Sequence, residues 1–355
     1  MTAVRLKDVA DRAGVSVKTV SNVVRGMSRV APATRERVMV AVSELGYRPN
    51  PSAVRLRTGR SGLIALAVPF LATPYFAELA HHVRTEASRI GLTVLIEETL
   101  GDAREELRLA TGLGAALLDG VILSPLRVPF GQLAATTAGF PLVLLGERED
   151  GREQLRADHV LIDNVAAARE ATAHLVSLGR TRLAAVGVDR QGSATSRQRL
   201  EGFQLALHEA GLSFDPRLAP QVGEFDRRSG LRAGRALAAL PAGSRPDAVF
   251  CFNDMLAVGA IRAFHEAGLA VPGDIAVASV DGSEEGRYAT PSLTTVVPDK
   301  AAIASLAVTS LAGRIGAATP PGHAVHVAPY RLEVGESTTG VRRPVADWPT
   351  GRLTD

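Results

Sequence analysis

From Leu63 to Val280 short apolar runs alternate with longer amphipathic segments, most of them closed by a glycine, and few architectures can bury that pattern. Leu63 to Val68 reads as a strand. Phe76, Leu79, Ala80, Val83, Ala87 and Ile90 then fall on one helical face before Gly91, and Leu92 to Ile96 is the next strand. Further strands are expected at Val121 to Leu123, Leu142 to Leu145, Leu183 to Val186, Ala248 to Phe252 and Ile275 to Val280. Between them, helices are expected at Ala166 to Leu178, Gln198 to Ala210 and Leu256 to Ala267, closed by Gly179, Gly211 and Gly268. The alternation implies parallel sheets covered by helices, and there is enough of it for two doubly wound units. Ligands in such sheets lie beyond the carboxyl ends of strands. Here those ends are Pro69 to Phe76, Ser124-Pro125, Gly146 to Arg148, Asp163-Asn164, Asp189 to Arg199, Asn253-Asp254 and Asp281-Gly282, a polar set for loops that follow such apolar strands.

The front of the chain is built differently. In RLKDVADRAGVSVKTVSN, Arg5 to Asn22, the residues Leu6, Val9, Ala10 and Ala13 share one face of a short helix, and Gly14 breaks it. Ser16 is suited to cap a second helix with Val20, Val23 and Val24 turned inward. Val17, Lys18, Ser21, Asn22 and Arg25 would then face solvent. Two such helices joined by a tight turn make a helix-turn-helix, whose second helix enters the DNA major groove. A third helix is expected with Pro32 in its first turn, Val38, Val42 and Leu45 inward, and Gly46 closing it. Charge separates this front from the rest. Residues 1 to 60 hold twelve Lys and Arg against four Asp and Glu, a net +8, which leaves −5 on the remainder of a chain whose total is +3. A basic module on an acidic body is the footprint of a DNA reader attached to a domain of another kind.

The strings VRLKDVADRAGVSVKTVSNVV and RVAPATRERVMVAVSELGYRPNPSAVRLRTGRSG resemble the headpiece and hinge of the LacI/GalR family of bacterial repressors. The likeness continues to about residue 340 through VPFLATPYFAEL, RQRLEGF, CFNDMLAVGA and SVDG followed by RYATPSLTTV. It implies an all-α helix-turn-helix headpiece (1–48), a hinge helix and linker (49–61) and an α/β two-lobed body with parallel sheets, of the type I periplasmic-binding-protein kind (62–340). The first lobe is expected at about 62–162 and 298–324, the second at about 163–297 and 325–340, with a disordered tail at 341–355. In the family the hinge helix orders on operator DNA and pairs with its twin in the minor groove. The residue matching the family's wedge is Leu56, with Arg55 and Arg57 beside it, Ala53 preceding and Asn50 as a cap. The DNA-contacting set is completed by Leu6, Ser16, Val17, Lys18, Thr19, Ser21, Asn22 and Arg25, of which Lys18 and Asn22 are expected to read bases.

The same resemblance carries the effector contacts onto Phe76 as an apolar wall, Arg199 as a bidentate donor, Phe225 as a ring-packing aromatic, and Asn253 with Asp281 as a hydroxyl-binding pair. Ser124 and Arg148 are added from the strand-end loops. An arginine, an amide and a carboxylate beside aromatic faces suit the vicinal hydroxyls of a sugar, and equally a nucleoside or base. Each residue also has a plainer role open to it: Asn253 and Asp281 as helix caps, Phe76 as core, Arg199 as a surface ion pair. Pro298 stands where many relatives carry a polar residue, so no ligand contact is expected from it.

Composition narrows the remaining classes. Hydrophobic residues make up 46% and charged residues 22% of 355, an ordinary globular balance with room for two or three domains. A single cysteine, Cys251, excludes an internal disulfide and suits the cytoplasm. No basic stretch followed by an apolar run opens the chain, so export is not expected, and the apolar strings are too short for a membrane span. His208-Glu-Ala-Gly-Leu212 echoes His265-Glu-Ala-Gly-Leu269, but neither copy has the second histidine a zinc site would need, and the adjacent His81 and His82 diverge around a helix. No nucleophile elbow, phosphate-binding loop or dinucleotide fingerprint is present, so neither an enzyme nor a cofactor is expected. A solute-binding protein shares the expected body and lacks the headpiece. The reading is therefore a homodimeric regulator with two partners, a pseudo-palindromic operator DNA and a small effector, sugar or nucleoside-like, in the cleft. It is most simply a repressor of carbohydrate-utilisation genes.

Overall fold

The structure, a computed structural model, describes residues 4–24, 30–47, 60–112, 118–129, 131–133, 140–146, 157–190, 193–317 and 322–341. It divides into two compact units, Met1–Ser61 and Gly62–Asp355. Arg25, Asn50, Ala53, Arg55, Leu56, Arg57 and Arg148 lie outside the described residues, and with them most of the expected hinge and all of the tail beyond residue 341.

The first unit holds α1 (Leu6–Ala13), α2 (Val17–Val24) and α3 (Pro32–Leu45). Gly14, at φ 64°, ends α1 and sends its N–H back to the Ala10 carbonyl. Ser16 Oγ accepts the Thr19 N–H at 3.1 Å, so the expected cap starts α2. Val9, Ala10, Ala13, Val20, Val23, Val38 and Ala41 form the core, with Leu6, Val24, Val42 and Leu45 half-buried at its edge. The apolar faces therefore meet as their spacing requires. One expectation fails: Ser21 is buried at 8% exposure rather than facing solvent. α2 packs against both α1 and α3, which widens its buried arc beyond the valine stripe.

The second unit has two lobes. The first contains β1 (Leu63–Val68), α4 (Pro74–Arg89), β2 (Thr93–Glu98), α5 (Ala103–Ala110), β3 (Gly120–Leu123), β4 (Leu142–Leu145) and β5 (Asp158–Leu161). The chain then crosses into α6 (Asn164–Ser177), β6 (Leu183–Val186), β7 (Val188–Asp189), α7 (Ala194–Glu209), β8 (Gln221–Val222), α8 (Arg227–Ala238), β9 (Ala248–Cys251), α9 (Asp254–Glu266), β10 (Ala276–Val280), α10 (Glu284–Tyr288) and β11 (Thr294–Pro298). It returns to the first lobe as α11 (Lys300–Arg314) and β12 (Val325–Val327), and ends in the second as β13 (Tyr330–Glu333) and α12 (Glu336–Thr339).

The first sheet runs β12-β5-β4-β3-β1-β2 and is parallel throughout. Along β1 the side chains alternate between two cores: Ile64, Leu66 and Val68 meet α4 and α11, while Ala65 and Ala67 meet Leu109 and Ala110 of α5. The second sheet runs β13-β11-β10-β9-β6. Its edge strand β13 is antiparallel, with Val296 opposite Leu332, so the expectation of purely parallel sheets is corrected there. Across α8 and α9, Gly230 and Gly259 interlock: a Cβ on Gly259 would stand 2.1 Å from the Arg227 carbonyl, and one on Gly230 2.2 Å from that of Leu256.

Three strands, Leu63–Val68, Leu142–Leu145 and Leu183–Val186, match their expected bounds. The helix starts lie earlier than periodicity suggests, because Asp163, Ser193 and Asn253 cap them: each side chain accepts a backbone N–H from the first turn. Ile90 is 53% exposed and follows α4 instead of lying on its buried face. The last crossing falls after β12, not at 325 as expected, because Val325 to Val327 pair with His159 to Leu161 of the first sheet.

That return is held by a buried ion pair. Arg314 donates to Asp158 through Nε at 2.7 Å and Nη2 at 2.6 Å, and Ala324 N–H adds a third bond to the carboxylate at 2.8 Å. Burial pushes the Asp158 carboxyl up, but the hydrogen bonds from Arg314 and Ala324 outweigh it and hold the pKa below the ordinary value. Such a group contributes stability above the unfolded carboxylate pKa and loses it as pH falls through the folded one. Arg314→Met strands the carboxylate and is expected to cost about 3–5 kcal/mol at pH 7. The difference in melting temperature from wild type should narrow toward pH 4, whereas an equal cost at both pH values would assign the loss to packing.

Candidate functional site

Parallel strands deliver their following loops to one edge of a sheet, and the three crossings set the two such edges against each other across a cleft. The cleft encloses a cavity of about 340 Å³. From the first lobe come Pro69 and Phe70 after β1, Tyr75 and Phe76 at the start of α4, Ser124 to Arg127 after β3, and Gly146 after β4. From the second come Asn164, Asp189, Arg199, Phe225, Asn253 and Asp281. Each described effector candidate therefore lines the same cavity: Phe76, Ser124, Arg199, Phe225, Asn253 and Asp281. Pro298 lines it too, as an apolar wall, although no contribution was expected from that position.

Arg199 is no surface ion pair. It is 7% exposed in the first half of α7, donates through Nε to Asn164 Oδ1 at 2.7 Å, and donates through Nη1 to the Phe252 carbonyl. Asn253 takes the plainer role open to it: its Oδ1 caps α9 by accepting the Leu256 N–H at 2.9 Å, while its Nδ2 donates to the Phe225 carbonyl at 3.0 Å. It thereby fixes the Phe225 loop against the strand end. Phe225 meets Phe252 edge-on at 6.3 Å, and Phe76 meets Tyr75 at 5.3 Å, so each lobe offers an aromatic face.

Asp281 differs from all of these. It is 8% exposed and caps nothing, since Ser283 caps α10, and its carboxylate has no hydrogen-bond partner among the described residues. Its φ of 126° is rare for a residue with a side chain and is held by the structure around it. Burial pushes its pKa up from 3.8 to about 7, against the pull of Arg199 and Lys300 and with the push of Asp254 and Glu78. The cavity thus holds, from one lobe, a buried carboxylate and a guanidinium among largely apolar walls, groups that between them can accept and donate hydrogen bonds.

Asn164, named among the strand-end loops without a role, orients Arg199, whereas sequence reasoning missed Glu106, whose buried carboxylate accepts the N–H groups of Leu126, Arg127 and Val128 at 2.8, 3.0 and 2.7 Å. The pattern Asp102 to Glu106, a cap followed by acidic residues, is the signal that marks Glu106.

In the first unit, Val17 is 44% exposed and Lys18 also faces solvent, while Asn22 and Thr19 are half-buried. The Ser16 and Thr19 hydroxyls bond each other at 2.9 Å, and Leu6 packs on the core. Among the described residues no helix is long and apolar enough to cross a membrane, and no group of three His, Cys, Asp or Glu could hold a metal ion.

Residues 5–50 match the model for bacterial regulatory proteins of the lacI family, and residues 172–338 match a periplasmic binding protein-like domain. The HTH-type transcriptional regulator DegA of Bacillus subtilis is 34% identical over 81% of this chain and 85% of its own. Among solved structures, the transcriptional regulator CelR in complex with cellobiose is 31% identical, covers 94% of this chain and 99% of its own, and has a TM-score of 0.69. The lac repressor dimer bound to operator and the anti-inducer ONPF is 27% identical, with 95% and 99% coverage and a TM-score of 0.78.

Because the Asp281 pKa is raised, the folded chain keeps a proton that the unfolded chain has lost, so stability falls as pH rises from about 3.8 to about 7 and then levels. Asp281→Asn removes that cost. Its melting temperature should exceed that of wild type by several degrees at pH 8 and by less at pH 5, and a gain independent of pH would show that the carboxylate is not the strained group.

Proposed function

The chain belongs to the LacI family of bacterial regulatory proteins, and from that premise we propose that it is a ligand-responsive repressor of carbohydrate-utilisation genes acting in the cytoplasm. The observation that carries this reading is the presence in one chain of a capped helix-turn-helix and a two-lobed cleft whose buried Asp281 carboxylate has no hydrogen-bond partner among the described residues. Neither an exported solute-binding protein nor an enzyme has use for the first.

The headpiece, 1–48, reads DNA; the hinge, 49–61, gates it through Leu56; and the body, 62–340, binds effector and a second copy. Two copies place two headpieces on the half-sites of a pseudo-palindrome, an arrangement supported by the related repressor dimer on its operator. Lys18 and Asn22 are the base readers, Lys toward guanine acceptors and Asn toward adenine. Ser16, Val17, Thr19 and Arg25 support them at the groove, whereas buried Ser21 keeps the helix packed.

The effector is a polyhydroxylated molecule, a sugar or nucleoside. Asp281 and Arg199 supply acceptor and donor to adjacent hydroxyls, Phe76 and Phe225 bracket the apolar faces, and the cellobiose complex of a relative supports the sugar class. Effector and operator are linked thermodynamically: whatever lobe angle the effector prefers biases the state in which the hinge orders on DNA.

A palindromic site selected from a randomised DNA pool should be shifted on a gel by the full-length chain, with affinity falling steeply as salt rises. Exchanging Asn22 for another polar residue should alter the preferred half-site by about 1–3 kcal/mol at one position, whereas uniform weakening would reassign Asn22 to phosphate contact. In a thermal-shift screen of sugars and nucleosides, a ligand at 100 times its Kd should add about 2.7 kcal/mol of stability, and Arg199→Met should abolish that shift.

A further inference from the structure

The loop that carries Asp281 is gripped from both lobes. On its own side Asp254, fully buried, accepts the Ser283 N–H and hydroxyl at 2.7 Å each, the Ser279 hydroxyl at 2.6 Å and the Thr295 hydroxyl at 2.7 Å. Gly282 N–H is taken by Thr295 Oγ1 at 3.2 Å. That side of the loop is therefore fixed to the second lobe's core.

The other side is held by two residues of the first lobe. Lys300, at the start of α11 and only 6% exposed, donates to the Asp281 carbonyl at 2.7 Å, the Gly282 carbonyl at 3.0 Å and Glu78 Oε2 at 2.8 Å. All three N–H bonds of the ammonium are thus used. Its charge also stands 5.5 Å from the centre of the Tyr75 ring. The second oxygen of Glu78, on α4, accepts the Glu284 N–H at 3.0 Å. Three of these hydrogen bonds cross between the lobes, and Lys300 lies two residues past the crossing at Pro298, where any change in lobe angle must be absorbed. Exposed ion pairs contribute little, but an almost fully desolvated ammonium cannot leave its acceptors cheaply.

We propose that Glu78 and Lys300 form a latch between the lobes, with Lys300 the positioning residue that sets the backbone of Asp281 and Gly282, so that lobe angle and the aim of the Asp281 carboxylate change together. Opening the cleft on this edge withdraws the ammonium from both carbonyls at once and frees the loop that Asp281 and Gly282 form with positive φ. The consequence for regulation rests on the effector reading given above: a ligand that engages Asp281 pulls on the same loop that the latch holds, and each stabilises the other.

The test uses the full-length chain without ligand, so a screen that finds no effector leaves its outcome intact. Hydrogen exchange is followed in wild type, Lys300→Met, Glu78→Met and the conservative Lys300→Arg. Amides of residues 281–284 should exchange at least about tenfold faster in the two methionine variants, with the strand amides of both sheets unchanged and the arginine variant largely protected. The titration of Asp281, isolated by comparing each melting curve with that of its Asp281→Asn counterpart across pH, should move upward by roughly one pH unit in Lys300→Met. The charged groups facing Asp281 are Arg199 and Asp254 from its own lobe and Lys300 and Glu78 from the other, and only the Lys300 charge is lost in that variant. Unchanged protection at 281–284, or a uniform loss across the whole body, overturns the latch. Should Lys300→Met fail to fold, Glu78→Met carries the exchange measurement alone, with the same two outcomes.

Discussion

Parallel strands all end at the same edge of a sheet, and the body is organised by that constraint. Every loop after β1, β3, β4, β6, β9 and β10 emerges at a carboxyl edge, where backbone N–H and C=O groups have left the ladder and polar side chains can be tolerated. Because the chain passes between lobes three times, two such edges face each other. Arg199, Asn253 and Asp281 reach the cleft from positions far apart in sequence for this reason, and the strands behind them, buried on both faces, hold them with little freedom. The cavity is a consequence of topology before it is a consequence of any one residue.

Among the described residues, several buried charges of the body are ringed by hydrogen-bond partners. Asp158 has Arg314, Glu106 has three backbone N–H groups, Asp254 has three hydroxyls and an N–H, and Lys300 has three acceptors. A buried charge so surrounded recovers in hydrogen bonds much of what desolvation costs. Asp281 has no such set among the described residues, and burial raises its pKa as it does that of Asp254. An unpartnered buried carboxylate costs on the order of 1–3 kcal/mol or more in an isolated fold. The cost is intelligible where a ligand completes the bonding, because the same deficit then becomes affinity and specificity.

How much of this was legible in the sequence depended on the range of the interaction. Leu63 to Val68 and Leu142 to Leu145, strands inside the first sheet, could be bounded from their apolar runs alone, and so could Leu183 to Val186, which is buried although it ends the second sheet. The helix starts could not, because Asp163, Ser193 and Asn253 act through a single capping bond that leaves no periodic trace. α8 escaped notice because its buried face is mostly Ala, Gly and Ser, residues that pack by close approach instead of bulk. Arg199 and Asp281 entered through family resemblance, not through pattern. Glu78 and Lys300 entered through neither: they are 222 positions apart, and their partners are main-chain atoms that no residue type announces.

The headpiece sets the energetic scale on which such a switch must work. Among the described residues its core is seven buried side chains, all Val or Ala, under three short helices, and so small a core supplies only a few kcal/mol. A reader of that stability need not be unfolded to be silenced; a shift of about 1–3 kcal/mol in the coupling between cleft and operator is enough to change occupancy several-fold or more. One carboxylate and one ammonium that exchange partners in a desolvated cleft are of that order. The cleft is therefore under no demand to move the lobes far, only to make two of their positions differ by the free energy of a few charge-assisted hydrogen bonds.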